Sequence, residues 1–456
     1  MKPLAFLLVF VFIIALIGCG NDGPPTARII PEELSIHGDV RTDNYYWLRE
    51  RENPEVIAYL EAENEYAAGL MTHTEELQNT LFEEIKGRIK PNDESVPVLL
   101  NGYYYYTRFE EGTEYPIYCR KEGSLEAEEE VILNVNEMAG DHEFFSVTGV
   151  VASPDNNLLA YSLDTVGRRK YELHFKNLLT GEQLETIIKD VTGRAVWAND
   201  NNTVFYTRRD PDTLRAFQIY RQALDGESAL VFQEDDVIFS CGVDKSKSRE
   251  YIIISSDHTL SNEYRYLEAD NPTGEFRIIQ SRERGLEYHA DQLGGFFYIL
   301  TNMDAKNFRL MRAPLNATEK ENWEEVIPHR DDILLQGFEL FKNHLAVSER
   351  GNAVTRVRII PWSGDGEHYV EFPEEVCAAD ISRSNPEFDT DLLRLNYSSL
   401  ITPESVYDYN MSSREKLLKK QDEVPGYNRD AYTTSRLWAP ADDGKEVPVS
   451  LVYKTE

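Results

Sequence analysis

The sequence predicts an all-β fold, a propeller of about seven repeated four-stranded units, on three observations. Phe144 to Lys189 alternates apolar and polar residues in four short runs. Ser153-Pro154-Asp155-Asn156, Thr165-Val166-Gly167 and Thr180-Gly181-Glu182 separate those runs with turn residues. The unit then recurs. Its inner strands are marked by Tyr103-Tyr106, Leu159-Tyr161, Val204-Tyr206, Tyr251-Ile253, Phe296-Tyr298, Leu345-Val347 and Leu392-Leu395, roughly 45–56 residues apart, the period of propeller blades. A β-sandwich would produce the alternation but not the even spacing.

The chain opens with Met1-Lys2 and an apolar run from Leu4 to Ile17. That run is short for a membrane span and suits the apolar part of a secretory signal. It ends in Leu16-Ile17-Gly18-Cys19, similar to the lipobox of bacterial lipoproteins. By that resemblance residues 1–18 are removed and Cys19 carries acyl chains, which anchor stably when there is more than one. The exported protein would sit on a bacterial membrane, at the periplasmic face or the cell surface. An ordinary signal peptide with a chance cysteine is the plainer alternative.

Residues 19–90 are expected to hold a linker and two amphipathic helices. Asn53-Pro54 supplies an N-cap and an N1 proline for the first. Thr72-x-x-Glu75 reads as a capping box for the second, which carries Leu77, Leu81, Phe82, Ile85 and Ile89. Their apolar faces need a partner, whether the rim or end of the propeller or another domain. Residues 91–422 are the propeller. In residues 423–456, Asp442-Asp443-Gly444 joins Leu437-Trp438 to Val447–Tyr453 as a hairpin entering a new sheet.

Lys and Arg number 47 against 80 Asp and Glu, a net charge of −33. Such a surface repels nucleic-acid phosphate. It attracts cationic peptides, or serves solubility alone. Without Cys19 the cysteines are an odd three, Cys119, Cys241 and Cys377, in or beside expected strands. They read as buried free thiols rather than a disulfide framework. No Cys/His spacing suggests zinc, and nothing calls for a cofactor or metal.

No Gly-x-Ser-x-Gly elbow or HGGG-type loop occurs. Pro361-Trp362-Ser363-Gly364 comes nearest, lacks the first glycine and reads as a turn. The histidines are scattered; His37, His73 and His142 lie outside strands, in exposed or capping positions. Arg168-Arg169 is a cationic pair beside a tight turn. It reads either as a solvated blade edge or as a contact with a facing domain or acidic peptide end. No catalytic residue emerges from the residues themselves.

The order of segments resembles the oligopeptidase B group of the prolyl oligopeptidase family of serine peptidases. The likeness runs through His37–Tyr66 with its DNYYWLR, Asn101–Lys121, Gly167–Glu182 and the VPVSLVYK exit. It implies a seven-bladed β-propeller preceded by helices that pack against an α/β-hydrolase domain, and a C-terminal stub of that domain from residue 423. It implies cleavage of short basic peptides after Lys or Arg by a Ser-His-Asp triad beyond this chain. Arg168 and Arg169 match a propeller position facing the hydrolase and carry over as interdomain-contact candidates. On this reading the chain is the gating part of such a peptidase, inactive alone. The alternative is a stand-alone, lipid-anchored propeller that binds peptides or a protein without cutting them.

Overall fold

The computed structural model describes residues 23–455. The signal-sequence and lipid-anchor expectations, Cys19 among them, lie outside those residues. The chain divides into one compact unit up to Ile89 and another from Lys90 onward.

In the first unit a hairpin pairs Glu32–Ile36 with Asp39–Asp43 around His37-Gly38, both at positive φ. Sequence reading passed over it because its residues are largely polar and stay exposed. Helix α1, Pro54–Met71, starts as its residues demand: Asn53 Oδ1 accepts from the Glu55 N–H at 2.9 Å, and Pro54 needs no donor in the first turn. The capping box expected at Thr72 does not form. Thr72 keeps helical dihedrals, and its hydroxyl donates back to the Ala68 carbonyl at 3.1 Å. A single 3₁₀ turn, Thr72–Thr74, then carries the chain into α2, Glu75–Lys86. Val56 is buried, whereas Leu60, Leu77, Leu81, Phe82 and Ile85 are exposed.

The second unit is an all-β propeller. Four sheets of four antiparallel strands run from Ser240–Lys245 to Lys416–Gln421, and a five-stranded sheet spans residues 93–134. The remaining seven strands, from Ser146–Ala152 to Ala229–Gln233, form one continuous sheet. Five sheets therefore stand as separate blades, not the seven expected. The cause is the ten-residue strand Ile188–Trp197. Its first part pairs with Tyr171–Asn177 and its last part, Ala195 to Trp197, with Thr203–Arg209. The fourth of the runs expected between Phe144 and Lys189, the one after Thr180-Gly181-Glu182, thus becomes strand only at Ile188 and continues into the next unit. Gly193 sits at the break in register, at φ +95°, facing Gly149 in the matching break of Ser146–Ala152.

The strands marked as innermost are in fact second in each sheet. Tyr251–His258, for example, lies outside Ser240–Lys245. The core lies between neighbouring sheets, where alternate side chains of facing strands interdigitate. Ile253, Tyr264 and Tyr266 pack on Phe297, Ile299 and Trp323. Phe341, Val357 and Ile359 pack on Leu393, Leu395 and Tyr409. First and last sheets are joined by Arg394. It pairs with Asp408 through two hydrogen bonds of 2.8 and 3.0 Å and donates to the Pro97 carbonyl at 2.9 Å and to that of Val96. Lys420 adds a bond to Asp93.

Cys119 and Cys241 are buried free thiols and Cys377 is half-buried. Burial pushes Cys119 up to about 11 and Cys241 up to about 12, so neither is a nucleophile at neutral pH. The last element is a hairpin, Tyr432–Pro440 with Glu446–Lys454, pairing only with itself among the described strands. Leu437, Trp438, Val447, Val452 and Tyr453 are exposed on it.

Candidate functional site

Each blade's first strand faces the propeller axis, and the seven-stranded sheet contributes two such strands. Between them lies a cavity of about 930 Å³. Gly149, Gly242 and Ala290 leave it open, and Arg194, Asp244, Lys245, Asp291 and Glu339 line it. Because the strands alternate in direction, all turns joining first to second strands fall on one face of the propeller. The chain enters and leaves on the opposite face.

At the first face one turn spans the channel. Ser246–Glu250 joins Ser240–Lys245 to Tyr251–His258 and reaches strands or turns of four other sheets. The Lys247 N–H donates to Asp291 Oδ1 at 3.0 Å. Its ammonium, only 6% exposed, pairs with Glu339 and donates to the Asn385 carbonyl. It also lies 4.5 Å from the Phe341 ring centroid. Arg249 donates to Asn101 Oδ1 and, at 3.0 Å, to the Pro386 carbonyl, with Glu387 3.7 Å away. Lys245 donates to the Trp197 carbonyl at 2.9 Å and to Asn199 Oδ1 at 2.6 Å.

Enclosure by the channel walls pushes Lys245 down to about 8, with Arg249 adding to the effect. It also pushes Asp291 up to about 7, although the Lys247 and Gln292 N–H groups oppose it. His289, beside Asp291, is held below the ordinary imidazole value by burial. At Lys245, Asp291 and His289 enclosure therefore disfavours the charged form.

Sequence reading missed this site. Its mark was there: Lys245, Lys247 and Arg249 fall within five residues of a strongly acidic chain. Set in DKSKSRE, they read as an ordinary polar turn.

Arg168 and Arg169 lie together on the exposed turn between Leu158–Asp164 and Tyr171–Asn177. Asp164 shapes that turn, accepting from the N–H groups of Val166 at 2.9 Å, Gly167 at 3.0 Å and Arg169 at 2.7 Å. Arg169 itself takes a positive φ of 54°. The turn is on the face where the chain enters and leaves, away from the channel turn of Ser246–Glu250. On that same face Glu374, nearly buried, accepts from Tyr397, from Thr402 at 2.6 Å and from Arg429 at 2.5 Å. Burial pushes its carboxyl upward, but these donors win and hold it below the usual carboxylate range. Glu374 thereby ties the segment after the last blade to the blade itself.

Pro361-Trp362-Ser363-Gly364 is a turn, closed by the Gly364 N–H on the Pro361 carbonyl at 3.0 Å. His37 occupies a turn, the His73 ring contacts the Leu70 carbonyl at 2.8 Å, and His142 packs against Phe145. Among the described residues one serine meets a histidine: Ser412 Oγ lies 3.4 Å from His344 Nε2, whereas the other hydroxyls at a histidine are the phenols of Tyr264, on His289, and Tyr409, on His368. Asp391 stands beside both, yet the three do not form a proton relay. The single Ser412 proton goes to Asp391 Oδ2, nearer at 3.1 Å. His344 Nδ1 is buried without a hydrogen bond, 3.5 Å from Asp391 Oδ1. A general base must instead accept from the nucleophile and be held by its partner at about 2.6–3.2 Å. Ser412 is exposed on a turn and lines no part of the channel cavity.

Residues 24–422 match the family described as prolyl oligopeptidase, N-terminal beta-propeller domain. Dipeptidyl aminopeptidase BI of Pseudoxanthomonas mexicana is 40% identical over 95% of this chain and 63% of its own length. Protease 2 of Moraxella lacunata is 32% identical over 94% of this chain and 63% of its own. The structure of oligopeptidase B from Leishmania major superposes with a TM-score of 0.86 at 27% identity, covering 95% of this chain and 66% of that one. Oligopeptidase B from Trypanosoma brucei, in a closed form with covalently bound antipain, gives 0.85 at 28% identity, covering 95% and 65%. The chain spans a little under two thirds of the length of these curated relatives.

Proposed function

The chain belongs to the prolyl oligopeptidase family, and on that premise we propose that it is the propeller portion of a serine peptidase acting on short peptides after Lys or Arg. The observation that carries this reading is the final hairpin. Its exposed Leu437, Trp438, Val447, Val452 and Tyr453, on strands with unpaired outer edges, suit continuation into a further sheet. An α/β-hydrolase domain bearing the Ser, Asp and His of the reaction is the proposed continuation. Arg168, Arg169 and the Glu374–Arg429 tie lie on the face it would cover. The propeller then screens substrates by size, because a folded protein cannot enter a cavity of about 930 Å³. A net charge of −33 raises the local concentration of basic peptides.

The test uses the complete polypeptide made from the native locus, assayed on fluorogenic peptides that differ only in the residue before the scissile bond. Cleavage after Arg and Lys, faster than after Ala by about 100-fold or more and abolished by a serine-directed phosphonate, is the expected result. Equal cleavage after Ala, or activity indifferent to the phosphonate, would count against the reading. A product that binds basic peptides without cutting them would favour the stand-alone binding propeller.

A further inference from the structure

We propose that the channel cavity is a binding site for the C-terminal carboxylate of a peptide, with Lys245 and Arg383 as its cationic contacts. This rests on the peptidase reading and names how the substrate would be held within the propeller. Five cationic and three carboxylate side chains line the cavity, on a chain whose net charge is −33. The channel therefore reverses the sign of the surface around it.

Two of those cations are already engaged, Lys247 with Glu339 and Arg249 with Glu387. Arg194 has only the distant Asp244, at 3.8 Å. Lys245 and Arg383 have no carboxylate within ion-pair distance among the described residues. Lys245 is bound to a carbonyl and an amide oxygen alone, which leaves one of its three N–H groups for a ligand. Arg383 is exposed to the lumen and presents its whole guanidinium fork.

The walls make an anion welcome. Lys245 sits where enclosure and Arg249 push it down to about 8, so its charge is poorly solvated while the channel holds only water. A carboxylate beside it relieves that penalty and gains a charge-assisted hydrogen bond where the dielectric is low. Asp291, pushed up to about 7, offers less opposing charge than its residue type suggests. A short peptide fits the volume, and the turn at Ser246–Glu250 stops it from passing through. Its basic side chain is drawn by the acidic exterior and its carboxylate by the channel.

The test is calorimetric titration of the full chain with N-acetyl-Ala-Arg-Ala-Ala, as the free acid and as the C-terminal amide. The amide carries the larger positive charge, and nonspecific attraction to an acidic protein favours it. A preference for the free acid is therefore a signature of the channel. The acid is expected to bind about tenfold more tightly, the worth of one charge-assisted hydrogen bond. Lys245→Met and Arg383→Gln should each cut that preference to about threefold or less. Arg383 makes no hydrogen bond or ion pair among the described residues, so its substitution tests the site without disturbing the fold. Equal affinity for acid and amide overturns the proposal, as does a preference that both variants retain. Inorganic phosphate binding as tightly as the free acid also overturns it, because the site would then read a free anion. Peptides that bind equally leave the peptidase reading intact, since that reading is tested by cleavage.

Discussion

Arg394→Ala is expected to lower the free energy of unfolding by about 3 kcal/mol, the low end for removing one partner of a buried, hydrogen-bonded ion pair. The side chains of Arg394 and Asp408 are 11% and 15% exposed, so neither charge is well hydrated. The substitution leaves the Asp408 carboxylate without its two guanidinium bonds. It also strips a donor from the Pro97 and Val96 carbonyls, in the segment between the short strands Asp93–Glu94 and Val98–Leu100 that begin the first blade. No covalent bond closes the ring between the first and last blades, so noncovalent contacts at that seam must hold it shut. Arg394→Lys should recover only part of the loss, because one ammonium cannot bind both carboxylate oxygens and two carbonyls. Arg312→Ala serves as the comparison. Arg312 and Glu324 form a similar pair across one blade but are 39% and 58% exposed, so the cost should stay below about 1 kcal/mol. Urea unfolding of the three variants checks this. Arg394→Ala no more harmful than Arg312→Ala would show that the seam is closed by something else.

Gly149→Ala is expected to cost about 3 kcal/mol, from strain in the left-handed region and overpacking together. Gly149 has φ +62°, and a Cβ there would lie 2.1 Å from the carbonyl oxygen of Gly193. That oxygen belongs to Ile188–Trp197, the strand shared along the seven-stranded sheet, so no change of rotamer relieves the clash. Gly193 is constrained in turn, because its own Cβ would meet Thr148 at 2.7 Å and Tyr171 at 2.9 Å. Gly102 isolates the conformational part. It has φ +83° with nothing within 4 Å, so Gly102→Ala should cost about 1–2 kcal/mol. Equal losses in the two variants would mean that the approach of Gly149 to Gly193 is not what shapes this sheet.

These two seams also mark where the sequence stops being legible. The repeat could be read because every unit buries its faces against neighbours, which forces alternation and punctuation at a fixed period. The number of separate sheets could not, because the break between two units is two facing glycines rather than a polar loop. A glycine inside an apolar strand, as in DVTGRAVW, was the available sign of that bend. The helices show the same division. Asn53-Pro54 acts locally and reads correctly, whereas Thr72 had a choice between capping α2 and bonding back to Ala68, and it took the second. The role of the channel cations was hidden for a different reason. Lys247 gains its meaning from Glu339 and Asn385, 92 and 138 residues away.

Incubating the purified chain, residues 19–456, with a fluorogenic Arg-containing reporter peptide shows whether the side chains of this propeller can cut a peptide by themselves. The account predicts no turnover above buffer, because Ser412 gives its proton to Asp391 rather than to His344. Turnover that a serine-directed phosphonate blocks and Ser412→Ala abolishes would contradict it.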